Sequence, residues 1–187
     1  FAAWHWQQVP LPNKQSGYLR AALASLCTFK PNTKCTQNVI EPLSKALEFK
    51  LPDFQAYLQQ GAQFYDGTSS YAPVSGTIYQ WQAARAWLAS MGLPQTASIA
   101  DVFGRGGTQQ TNAVTSGISP TLKVFFRPSA VVGGKHTQAL LFHEGLHGYG
   151  SSLGGSEYGD DAIEDAFFGR NMPASGSITQ HIERNCF

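Results

Sequence analysis

His143, Glu144 and His147 fall within the stretch QALLFHEGLHGYGSSLGG, and their types and spacing could do chemistry. On a helix, histidines four residues apart project from one face, so both imidazoles can reach one divalent ion. Glu144 lies about 100° round the 3.6-residue turn from His143, beside the ion rather than on it. A zinc ion with an open coordination position lowers the pKa of a bound water to roughly 7, and a neighbouring carboxylate can take that proton and pass it to a departing amine. His143 and His147 are therefore candidate metal ligands, and Glu144 is the candidate catalytic base.

The sequence HEGLH is similar to the HExxH signature of the zincin metallopeptidases. The resemblance implies Zn2+ as cofactor, a protein or peptide substrate, and hydrolysis of its peptide bonds. It leaves the third ligand to be found. In the metzincin pattern that ligand would fall on Leu153, which cannot bind zinc, so that subgroup is excluded. The thermolysin-like spacing lands near Ala166 and Phe167, with Glu164 a few residues early, and no aspzincin GTxDxxYG element is present. In DDAIEDAFF, Asp160 shares a face with Ile163 and Phe167 and should point towards the histidine helix, whereas Asp161 and Asp165 should be solvated. Asp160 is the expected third ligand, with Glu164 and then Glu157 as alternatives. The plain structural alternative is an acidic first turn that favours the helix dipole. The order of HExxH, glycine-containing turn, Asp-x-x-Ile and closing SGSITQHIERNCF also resembles C-terminal domains of RHS-repeat and related polymorphic toxins. That implies a secreted or delivered protease, part of a larger polypeptide or delivery system.

Other residues carry weaker signals. Tyr149, Tyr158 and His181 are candidates to donate to the oxyanion formed when a carbonyl is attacked. His136 reads as a capping or surface residue, and His181 as part of a terminal helix or simply exposed. His5, between Trp4 and Trp6, reads as part of a packed N-terminal arm or a binding segment.

These residues must be positioned by elements legible in the apolar spacing. Residues 17–27, 38–49, 52–60 and 78–91 place apolar side chains three and four apart and predict amphipathic helices, as do 135–149 and the segment after Gly159. Residues 61–77 and 104–120 read as loops, the second a candidate lid over the site. Residues 121–128, TLKVFFRP, mix β-branched and aromatic types and end at a proline, which predicts an edge strand able to pair with an extended substrate. The fold expected is α+β, mainly helical and zincin-like, with the HExxH helix and a small sheet or edge strand in one domain over 1–187.

The totals narrow the partners. Thirteen basic and twelve acidic residues give a net charge of +1 with no block of like charge, so nucleic acid is not an expected partner. Only 13% of residues are charged, against about 25% in an average soluble domain, which leans towards an exported protein. No apolar run approaches the roughly 20 residues of a membrane span. The opening FAAWHWQQVP lacks a methionine and reads as a processed product or excised domain. Cys27, Cys35 and Cys186 contain no CxxC pair; Cys27 and Cys35 flank a turn-like segment and either pair or all three stay as thiols, Cys186 packing a terminal helix.

Overall fold

The glycines and prolines of the chain divide it into helices whose apolar faces need one another. A computed structural model describes residues 13–59, 63–66, 113–116, 123–126, 130–153, 158–169 and 177–187. α1 spans Asn13–Cys27, and its inward face carries Leu19, Leu23 and Leu26 into the core. A short helix α2, Thr33–Cys35, is capped by the Asn32 side chain, whose Oδ1 accepts from the Cys35 amide at 2.8 Å. It runs through one wide turn, Thr36–Ile40, into α3, Glu41–Leu47. Pro42 lies at the start of α3 and has no N–H to offer the Asn38 carbonyl one turn back, so the winding changes there and that carbonyl is left for another donor. His181 Nε2 is that donor, at 2.9 Å.

α4, Leu51–Gln59, buries Phe54 and Leu58, and Gln55 Nε2 donates to the carbonyls of Leu26 and Phe29 at 2.9 and 2.8 Å, closing the end of α1. The histidine helix α5, Gly134–Ser152, packs against α1, α4 and the last helix. Every residue from 139 to 150 is buried. A helix enclosed on all sides has no single apolar stripe, and its neighbours must supply the whole of its surroundings. On one flank Phe49, Phe54, Phe142 and Tyr149 form an aromatic cluster, with Phe54 and Phe142 ring centroids 4.9 Å apart and Phe54 and Tyr149 edge-on at 5.7 Å. α6, Asp160–Phe168, packs on α3, and α7, Ser177–Cys186, lays Ile178 and Ile182 against α5.

The α+β, zincin-like class expected from sequence is corrected by this arrangement. The body formed by residues 13–59, 130–153, 158–169 and 177–187 contains no strand and is 82% helical. Among the described residues there are three four-residue strands, β1 Gln63–Asp66, β2 Ala113–Ser116 and β3 Lys123–Phe126, in the order β1-β3-β2. Within the helical body α5 packs against α1, α4 and α7, and β2 lies against it as well. Two of the strands fall where composition predicted loop, because pairing with β3 outweighs local propensity.

β3 itself is corrected from edge to centre. It pairs in parallel with β1, Phe64 opposite Val124, and antiparallel with β2, Thr115 opposite Val124. Both of its backbone edges are used, so no substrate chain can pair there. The predicted helix 78–91 and the remainder of the predicted loops lie outside the described residues. Among the described residues no helix is long and apolar enough to cross a membrane.

The cysteine expectations are also corrected. Cys35 and Cys186 form a disulfide across 151 residues of sequence, and Cys27 is the free, buried thiol. Proximity along the chain suggested Cys27 and Cys35, but they sit on different helices, and α7 returns Cys186 to the end of α2.

Candidate metal centre

α5 carries His143 and His147 one turn apart on the side that faces α6, their ring centroids 5.0 Å apart. Asp160, the first residue of α6, sets one carboxylate oxygen between them. Its Oδ1 is 2.9 Å from His143 Nε2 and 3.2 Å from His147 Nε2. The imidazoles are 10% exposed and Asp160 is 45% exposed, so the site meets solvent on the aspartate side.

The far nitrogen of each ring is held from behind. His143 Nδ1 is hydrogen-bonded to Thr179 Oγ1 of α7 at 2.8 Å, and His147 Nδ1 donates to the Tyr158 carbonyl. The Tyr158 amide in turn donates to the His147 carbonyl at 3.3 Å. Gly150 makes that crossing possible: a Cβ there would lie 2.7 Å from the Tyr158 backbone nitrogen, so the residue passing over α5 needs a side chain of hydrogen alone beneath it. Gly145 answers a different demand. A Cβ there would stand 3.0 Å from Phe54 Cζ and from Leu58 Cδ2, so the space is taken by α4 and not by a substrate.

These hydrogen bonds fix the protonation chemistry of His147. A carbonyl only accepts, so Nδ1 carries a proton and Nε2 is the atom turned on Asp160. Two lone pairs at that distance repel unless a cation stands between them: either a second proton on the ring or a metal ion. Burial disfavours the charged ring, but the hydrogen bond to Asp160, the Glu144 charge, the Tyr158 carbonyl and the Asp160 charge outweigh it and raise the His147 pKa to about 9. For Asp160, burial works against ionisation and is overcome by hydrogen bonds from His143 and His147 and by their charges, holding the carboxyl well below the usual range.

Glu144 is 4% exposed, and its ligating atom lies with those of His143 and His147 in a group whose members are all within 4.8 Å of one another. That group does not include Asp160, which meets the rings as an ion-pair partner at the distances above. Both carboxylates are thus close to the imidazole pair, with Asp160 directly on the Nε2 atoms. Glu164 is also 4% exposed, and its Oε1 is buried without a hydrogen-bond partner. Burial first, then the charges of Asp160 and Asp161, push its pKa up against the opposing pull of His143. His143, Glu144 and His147 are so placed that they could together hold a metal ion.

The structure therefore brings together His143, Glu144, His147 and Asp160. Asp161 and Asp165 are exposed, and Glu157 lies outside the described residues, as does His5. The three oxyanion candidates are engaged elsewhere. Tyr149 Oη accepts from the Lys50 amide at 3.3 Å, the Tyr158 hydroxyl donates to the Leu47 carbonyl, and His181 is spent on Asn38. His136 pairs with Glu183 at 3.2 Å on the surface of α5 and α7. Sequence reasoning missed Thr179 and the Tyr158 carbonyl, which act through contacts 36 and 11 residues away with no spacing signature. No family model, curated protein or solved structure matches this chain.

Proposed function

We propose that this protein is a zinc-dependent hydrolase of peptide bonds, with the ion held by His143, His147 and Asp160 and with Glu144 as base. The carrying observation is the convergence of both imidazole Nε2 atoms on Asp160 Oδ1, at 2.9 and 3.2 Å, with each ring braced at Nδ1. A carbonyl at Nδ1, as at His147, places the proton there and leaves Nε2 to bind a metal once the ring is neutral. When bound, zinc would polarise a carbonyl and acidify water. Glu144, buried beside the rings, would serve as the base that takes a proton from the attacking water and returns it to the leaving amine. The choice of peptide over other carbonyl substrates is supported by the likeness of HEGLH to the zincin signature. Release into an oxidising compartment, as a secreted or delivered effector, is supported by the Cys35–Cys186 disulfide.

Purified protein is expected to hold one zinc per chain, and wild type to cleave peptides from a digested proteome. Glu144→Gln should lower cleavage by about 10²–10⁴-fold while retaining the metal. Cleavage by Glu144→Gln at the wild-type rate removes Glu144 as base. A second reading is favoured by the depth of the imidazoles and by Asp160 belonging to a different helix: the ion would clamp α5 to α6 in a non-catalytic interaction domain. In that case chelation lowers the melting temperature of a protein that cleaves nothing.

A further inference from the structure

The two imidazoles are braced by different chemistry. His147 Nδ1 faces a main-chain carbonyl, which any residue at position 158 would supply; His143 Nδ1 faces a side-chain hydroxyl, at 2.8 Å, which only the residue at 179 supplies. Thr179 is 8% exposed and lies beside Ile178, one turn before Ile182, on a helix whose inward face is otherwise apolar. Valine would fill nearly the same volume there without burying a hydroxyl, so packing gives no reason for a polar group. The His143 ring gives one.

We propose, resting on the metal-binding reading above, that Thr179 is the positioning residue for His143: its Oγ1 accepts the Nδ1 proton and so turns the Nε2 lone pair onto the metal. With the hydroxyl removed, His143 Nδ1–H has no buried acceptor. The ring then either rotates or adopts the other tautomer, in which Nε2 carries the proton and cannot ligate. Thr179 touches neither ion nor substrate, and it acts only through His143. The last helix, α7, thereby becomes part of the metal site although it offers no ligand.

The test is zinc affinity, measured by competition against a chromophoric chelator on the full chain. Wild type, Thr179→Val, Thr179→Ser and His143→Ala are compared, with circular dichroism of each zinc-free protein as the check on folding. Thr179→Val is expected to bind zinc about 10–100-fold more weakly than wild type, and Thr179→Ser, which restores the hydroxyl, to return within about threefold of it by the same argument. Thr179→Val binding within about twofold of wild type overturns the proposal while leaving the metal site intact. If wild type binds no better than His143→Ala, the metal reading and this inference fall together. Should Thr179→Val not fold, imidazole ¹⁵N spectra of zinc-loaded wild type decide. A proton on His143 Nδ1 is expected, and a proton on Nε2 overturns the assignment.

Discussion

At the scale of single residues, His147 and Asp160 make both stability and metal affinity depend on pH. The folded pKa of His147, about 9, lies above its ordinary value of about 6.5. Its contribution to the zinc-free fold is therefore fully present below about pH 6.5 and is lost as pH rises through 9. Asp160 is shifted the other way, so its contribution is present above its ordinary carboxyl pKa, about 4, and is lost as pH falls below that. Thermal melts of zinc-free protein are expected to show greatest stability between about pH 4 and 6.5, declining towards pH 9. Zinc must displace the His147 ring proton, so its affinity should rise by about tenfold per pH unit up to about pH 9. An affinity flat from pH 6 to 8 would contradict this. The spacing of His143, Glu144 and His147 was legible in the sequence because helical geometry relates them locally. Thr179 and the Tyr158 carbonyl were not, since nothing in a linear pattern says which distant polar atom closes on which ring.

At the scale of elements, two glycines of α5 make different predictions. Gly145→Ala gains about 1 kcal/mol of helix propensity. However, its methyl would press on Phe54, whose ring is held by Phe49, Phe142 and Tyr149 and has nowhere to move. Overpacking of that kind costs about 1–3 kcal/mol, so the net change should be a fall in melting temperature of a few degrees, roughly 2–4 °C per kcal/mol. Gly150→Ala meets both the Tyr158 ring and its backbone nitrogen, at 2.7 Å, so Tyr158 must lift away with the carbonyl that braces His147. It should weaken zinc binding as well as stability, whereas Gly145→Ala should affect stability alone. Zinc titration and thermal melts of the two variants separate the cases. The helices themselves were readable: the segment starting at Asp160 and the terminal helix follow the apolar spacing. The strands were not, because four residues such as AVTS hold no period strong enough to stand against glycine-rich surroundings, and only pairing with β3 makes them extended.

At the scale of the whole molecule, the expected α+β class rested on the likeness of HEGLH to the zincin signature and on TLKVFFRP as an edge strand for substrate. The body that holds the histidines is instead 82% helical and contains no strand. Within it α5 packs among α1, α4 and α7, with β2 as one further neighbour. The disulfide escaped for a related reason: the pairing joins helices far apart in sequence, and a count of cysteines carries no information about which ends meet. Closing a loop of 151 residues restricts the unfolded chain by about 5 kcal/mol in the chain-entropy account. Reduction of Cys35–Cys186 should lower the melting temperature by roughly 10–20 °C, measured with and without a phosphine reductant. A Cys35→Ser/Cys186→Ser variant melting as high as the oxidised protein would show that helix packing suffices. The same bond has a bearing on cleavage of the chain by any protease. A peptide bond severed anywhere between residues 35 and 186 leaves both fragments covalently joined, so a nicked molecule would migrate as one band on a denaturing gel until thiol is added, and damage to this chain would stay hidden from any assay run without it.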